Sequence, residues 1–279
     1  MIIDTHTHFY DPARPQGVPW PAADDKLLYR TVLPDHWKAL AVPAGVTGTV
    51  VVEASAWLAD NQWILDLAAE DDFLVGLVGH IDPDRPEFGA ELATLAANPL
   101  FRGIRCGGRY FADITRGTFL ADMARLADHD LELDVLLGPD YFAGVIQLAQ
   151  QLPNLRIVVN HIGLMPIDGQ AIAPAWATRY QQLAAQPNIY MKVSGFLELS
   201  TIRPAPAPVE YYTPTLDVLW AAFGADRLLY GSNWPVCAVA GTYAQCIAIV
   251  KSYFQAKGEA AYQKYFWQNA QAVYKWPAR

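Results

Sequence analysis

A chain of 279 residues, 53% hydrophobic and 12% aromatic, can bury a large core, either as one large domain or as two ordinary ones. Its net charge of -8 argues against a nucleic-acid backbone or an anionic membrane surface as partner. No apolar run is long enough to span a bilayer, and the N-terminus lacks a basic-then-apolar leader. Cys106, Cys237 and Cys246 are far apart and odd in number, which fits reduced thiols, so a cytoplasmic location is expected.

Short apolar runs alternate with helix-like stretches along the whole chain. The first strand, Met1 to His8, ends in Asp4-Thr-His6-Thr-His8. Alternation along a strand would put Asp4, His6 and His8 on one face. A polar, Pro-rich loop follows from Tyr10 to about Pro34, long for a compact domain and therefore a candidate functional loop. Asp35 is placed to cap a helix running to about Pro43. Gly48 to Ser55 is β-branched and continuous, as in a strand buried on both faces. Asp60 is expected to cap a helix over 61–70, and Leu74 to Ile81 reads as the third strand. A helix with Pro86 in its first turn comes next.

Phe101 to Cys106 is a short fourth strand, followed by a loop over 107–115 and a helix over 119–128. Leu131 to Gly138 is the fifth strand, with a helix over 141–151 behind it. The sixth strand is Arg156 to Gly163 and the seventh Asn188 to Gly195, with a helix over 174–185 between them. Arg203 to Pro208 reads as a stiff extended loop. Thr213-Pro214 starts a helix, and Arg227 to Pro235 is the eighth strand with its exit turn. Thr242 caps another helix, and a last one covers 260–275. Eight such units in one chain fit a single (β/α)8 barrel over residues 1–279, a fold of about 250 residues. A doubly wound open sheet would want a Gly-rich phosphate turn after an early strand, and there is none.

Barrel active sites lie where the strands end. Here those ends carry His6, His8, Glu53, His80, Arg105, His161, Lys192 and Asn233. Polar groups closing apolar strands are costly as core residues unless paired, so a converging site is the economical reading. His80, just before Ile81-Asp82-Pro83, reads as structural, and Asp134 sits early in its strand. Lys192 is a candidate to pair with Glu53 in the barrel mouth. Arg105 and Arg109 flank Gly107-Gly108, which would let both turn into one pocket and hold a carboxylate in bidentate fashion. Trp20, Trp57 and Trp234 fall in loops beside the mouth, where flat apolar faces can stack on a ring. Trp37, Trp63 and Trp220 lie in helices and read as core.

These stretches carry a resemblance. Ile3 to His8, Val51 to Glu53, Gly103 to Arg105, Asn160 to Gly163, Lys192 to Ser194, Gly231 to Val236, and Asn269-Ala270 with Tyr274 resemble the amidohydrolase superfamily. The similarity is to the amidohydrolase-2 branch, which contains sugar-acid lactonases and pyrone-dicarboxylate lactonases. It implies a barrel that opens a ring ester or amide, with His6, His8, His161 and Asn233 as catalytic residues. Substrate contacts would fall to Glu53, Trp57, Arg105, Arg109, Lys192 and Trp234. Family members usually carry Asp where this chain has Asn233, and metal-dependent members place a His on strand 5 that this chain lacks. A carboxamide cannot take a proton from water. The resemblance therefore implies a metal-independent site with no cofactor, while leaving a single divalent ion such as Zn2+ open.

The expected activity is hydrolysis of a small, carboxylate-bearing sugar-acid lactone. The alternative is a lactone isomerase, since an acyl shift between two hydroxyls needs no water. A metal-dependent hydrolase or decarboxylase and a non-catalytic sugar-acid binder rank below these. Aromatic-rich helices would permit a homodimer.

Overall fold

The computed structural model describes residues 1–278. Eight strands pair in parallel in chain order: β1 (Ile3–Thr7), β2 (Gly48–Val52), β3 (Leu74–Gly79), β4 (Phe101–Gly107), β5 (Glu132–Leu136), β6 (Arg156–Val159), β7 (Ile189–Val193) and β8 (Leu228–Tyr230). The cylinder closes where β8 has already ended. Asn233 N donates to His6 O at 2.9 Å and His8 N donates to Trp234 O at 2.8 Å. The seam of the barrel thus runs through the residues read as its site.

Helices α1 (Pro34–Ala41), α2 (Leu58–Glu70), α3 (Phe88–Ala96), α4 (Phe119–Asp128), α5 (Phe142–Gln151), α6 (Pro174–Ala184), α7 (Thr213–Phe223) and α8 (Tyr243–Ala256) ring the strands. Residues on alternate strand positions divide the core. Val51, Leu77, Ile104, Leu133, Val135 and Met191 belong to the core shared with the helices. Ile3, Val50, Val52, Val78, Val158 and Leu229 form a separate inner core. The chain's last segment plugs that inner core from below. It is α9 (Glu259–Gln263), a π turn at Lys264–Gln268, and α10 (Asn269–Tyr274), whose Ala270, Val273 and Tyr274 join the inner cluster. The single helix expected over 260–275 is therefore broken by that π turn.

Helix starts differ from the sequence reading in detail. Thr242 caps α8 as expected, accepting from Gln245 N at 3.1 Å. Asp35 instead lies inside α1 and pairs with Lys38 at 2.8 Å, while His36 Nδ1 accepts from Leu33 N. Asp60 likewise lies inside α2 and takes Arg14 of the long first loop at 3.0 Å. Thr213 lies inside α7, its hydroxyl bonding back to Val209 O, and α3 begins two residues after Pro86. At the starts of α2, α3 and α7 no side chain caps the first-turn N–H groups.

The loop from Tyr10 to Val32 is clamped at its base by two backbone hydrogen bonds between those residues. The Pro-rich stretch near 205 is fixed to α8 through Gln245, which donates to Ala205 O and Pro206 O. No helix among the described residues is long and apolar enough to cross a membrane.

Candidate active site

His6, His8 and His161 meet at the C-terminal mouth of the barrel. Ring centroids of His6 lie 4.9 Å from His8 and 4.4 Å from His161. All three side chains are buried. The expected shared face does not extend to Asp4. Pairing of β1 with β2 is irregular between Asp4 and Thr7, so strict alternation is lost there. Asp4 accepts from Ser232 N at 2.8 Å, His6 N at 3.1 Å and the Tyr243 hydroxyl at 3.2 Å, and reaches no imidazole. Burial raises its carboxyl to about 6 despite those donors.

Each imidazole has its orientation fixed by one neighbour. His8 Nδ1 lies 2.9 Å from Val52 O, a bond in which only the ring can donate. His161 Nδ1 lies 2.9 Å from Ser194 Oγ, which also accepts from His161 N at 3.3 Å. His6 Nδ1 lies 3.4 Å from the Lys192 ammonium, and His6 Nε2 is buried with no hydrogen-bond partner. Burial depresses all three pKa values. The His161, Lys192 and His8 charges add to the effect at His6, and Arg105 and Lys192 add to it at His161. His8, beside Arg105, falls to about 3. Near neutral pH the cluster therefore consists of uncharged imidazoles.

Backbone geometry holds this arrangement. His161, Ile162, Gly163 and Leu164 all have positive φ, so the chain turns sharply out of β6 and presents His161 to the mouth. Gly195 follows Ser194 at φ +63°, and a Cβ there would lie 2.7 Å from His161 Nδ1. Gly195→Ala is expected to lose more than about 1 kcal/mol of stability and to lower turnover by displacing the imidazole. Gly224→Ala, at φ +65° in open space, should show the backbone cost alone. Denaturation and turnover measured on both variants separate the two effects.

Lys192 does not pair with Glu53, as the sequence suggested. Its ammonium lies 2.6 Å from Asp134, and both side chains are fully buried. Tyr274 donates to the other Asp134 oxygen at 3.1 Å, and burial together with the Asp134 charge holds the adjacent Glu132 carboxyl well above its usual range. Burial lowers the Lys192 pKa, while the Asp134 charge opposes that shift. Lys192 therefore lies between His6 and Asp134 inside the barrel.

Arg105 and Arg109 do not converge on a vacant anion site. Arg105 pairs with Glu53 at 2.8 Å and also donates to Glu53 O. Arg109 has a largely exposed side chain that pairs with Asp82 at 3.0 Å. Both arginines border one open groove of about 480 Å3, shared with Ala56, His80, Asp82 and Tyr110. Trp234 is only 3% exposed and packs against Phe9, so it belongs to the core rather than to a stacking platform. Trp57 is 38% exposed in the turn before α2. Trp20 is the aromatic that reaches the cluster, 5.9 Å from His8.

Asn233 stands at positive φ on the seam, its carboxamide between His8 Nε2 at 3.2 Å and Glu198 Oε1 at 2.6 Å. Glu198 was not anticipated. It lies in the loop after β7, five residues beyond the strand end, outside the positions that a strand-end reading inspects. Burial raises its carboxyl to about 7, against donors from Asn233 and its own backbone.

Among the described residues no three or more His, Cys, Asp or Glu side chains are grouped to hold a metal ion. The unpartnered His6 Nε2 is a possible donor, but the usual carboxylate position is a carboxamide, and Arg105 and Lys192 supply positive charge instead. A catalytic zinc takes three protein donors, and the positive charge of Arg105 and Lys192 beside these imidazoles works against a divalent ion there.

The amidohydrolase family model matches residues 3–276. An L-fucono-1,5-lactonase from Burkholderia ambifaria is 34% identical over 244 residues, covering 86% of this chain and 82% of the relative. An L-fucono-1,5-lactonase from Burkholderia multivorans is 28% identical, covering 98% and 95%. An amidohydrolase structure from Burkholderia multivorans matches with a TM-score of 0.89 at 24% identity when bound to HEPES, covering 99% of this chain and 100% of that one. Its zinc-bound form matches at 0.86 and 26%, with the same coverage.

Proposed function

From a chain that belongs to the amidohydrolase family, we propose an enzyme that hydrolyses the ring ester of a sugar-acid lactone without a metal. The observation that carries this reading is the buried cluster of three imidazoles, held uncharged by burial, at the mouth of a barrel. Two relatives named as L-fucono-1,5-lactonases support the substrate class.

Lys192, held by Asp134, donates to His6 Nδ1 and so leaves the His6 proton on Nε2, where it has no protein partner. That N–H is the donor for the lactone carbonyl oxygen, and it strengthens as negative charge develops there. In this reading His161 donates from Nδ1 to Ser194 Oγ, 2.9 Å away, and so keeps its lone pair on Nε2. It takes a proton from water as the water oxygen bonds to the carbonyl carbon. The ring C–O bond then breaks, and the departing alkoxide takes that proton back from His161. The product is the open-chain hydroxy acid.

Glu53 is bound to Arg105 and is a poor candidate for the base. A substrate carboxylate would have to displace Glu53 from Arg105 or Asp82 from Arg109. We therefore expect a lactone whose ring substituents are hydroxyls, for which these paired charges offer both donors and acceptors. A panel of neutral aldonic lactones and carboxylated aldaric lactones tests this: the neutral group should give the higher kcat/KM. Preference for the carboxylated group would return Arg105 and Arg109 to anion capture. A second reading, isomerisation between ring sizes, is favoured by Asn233, which has no carboxylate basicity to offer water. Proton NMR of the same reactions would show it as ring interconversion without open-chain acid.

A further inference from the structure

The contacts around Asn233 contain a conflict of acceptors. His8 Nδ1 must donate to Val52 O, so in a neutral ring Nε2 carries a lone pair. The atom facing it at 3.2 Å is Asn233 Oδ1, another acceptor. The Asn233 Nδ2 group meanwhile points at Glu198, 2.6 Å away. An imidazolium would resolve the conflict, but burial and Arg105 oppose a charge on His8. A half-turn of the carboxamide exchanges its oxygen and nitrogen and resolves it differently. Nδ2 then donates to His8 Nε2, and Oδ1 must receive a proton from Glu198. That orientation is satisfied only when Glu198 is a neutral carboxylic acid.

We propose that Glu198 is a positioning residue whose ionisation turns the Asn233 carboxamide and thereby releases the His8 Nε2 lone pair to the active site. With Glu198 protonated, the Asn233 amide donates to His8 Nε2 and occupies it. With Glu198 ionised, the carboxylate draws the Asn233 N–H toward itself, and His8 Nε2 faces an oxygen it cannot bond. The lone pair is then available to a donor at the mouth, either a substrate hydroxyl or water. No covalent bond changes; one proton leaves Glu198 to solvent, and one amide rotates. The proposal rests on the lactonase reading for its catalytic meaning, but its structural core does not.

Burial holds the Glu198 carboxyl at about 7, so the switch falls in the neutral range. The groups facing Glu198 are Arg203 from its own loop, which donates to Glu198 O, with Tyr212, Cys237 and Cys246 from the surrounding elements. Those facing His8 are Arg105, Lys192, His6 and His161. Of these, the three histidines are held neutral by burial and the cysteine thiols are pushed up by burial. Asp4, which burial raises to about 6, also titrates near this range, but it accepts from Ser232 N, His6 N and Tyr243; Glu198 is the carboxyl that bonds the Asn233 carboxamide.

Long-range nitrogen–proton NMR on histidine-labelled protein reads the switch without turnover. The His8 signals are assigned by their loss in His8→Gln. The wild-type Nε2 resonance should shift through one step near the Glu198 pKa while Nδ1 stays protonated. Glu198→Gln keeps a donor for Asn233 Oδ1 at every pH and should abolish the step; Glu198→Asp should retain one. In pH–rate profiles on a turned-over lactone, the rise through the neutral range should vanish in Glu198→Gln. A wild-type His8 that shows no step, or an unchanged step in Glu198→Gln, overturns the proposal. An intact NMR step in protein that opens no lactone would instead overturn the lactonase reading alone.

Discussion

Replacing Lys192 with methionine is expected to destabilise the fold by about 3–5 kcal/mol, the cost of stripping one partner from a buried ion pair. Methionine keeps most of the aliphatic stem, so little packing is lost, but Asp134 is left ionised inside the barrel with only the Tyr274 hydroxyl as donor. The neighbouring Glu132 carboxyl, which burial and the Asp134 charge hold well above its usual range, brings no positive charge to replace the ammonium. Adding Asp134→Asn removes the stranded charge and should recover most of that loss. Turnover should not recover with it. His6 Nδ1 still lacks the ammonium that fixes its tautomer, so Nε2 no longer reliably carries a proton toward the carbonyl. Urea denaturation and turnover on the single and double variants check both halves. A single variant as stable as the parent would mean that the pair contributes nothing.

His161→Gln is expected to lower kcat by roughly 10²–10⁴-fold, the usual worth of a positioned general base. Glutamine can still reach Ser194 Oγ, so the fold and the turn after β6 should survive. What it lacks is a basic nitrogen. Ser194→Ala should cost less, since it frees the ring to change tautomer without removing it. Stopped assays on a confirmed lactone, with a denaturation curve for each variant, measure this. Full turnover in His161→Gln would place the base elsewhere in the mouth.

The barrel was legible because each strand is a continuous apolar run ended by polar residues, and a doubly covered parallel strand requires that pattern. The three histidines were legible for the same reason. The partner of Lys192 was not, because it depends on inter-strand register. Asp134 is level with Val158, and Val158 with Tyr190, so Lys192 must reach back down the interior to meet it. Only a long side chain inside a closed barrel makes that contact. Asp4 misled because alternation fails at one irregular pairing. Glu198 escaped because loop residues carry no periodic signature, and its meaning comes from Asn233 across the seam. Trp234 looked like a loop aromatic because the sequence does not reveal that the residues after β8 complete the barrel wall.

The most direct test of the central claim is proton NMR of chelator-treated protein, with metal content measured, on neutral sugar-acid lactones of both ring sizes. The account predicts open-chain acid above the uncatalysed rate at full activity, with no gain on adding zinc. Activity that disappears with the chelator and returns with stoichiometric metal would contradict it.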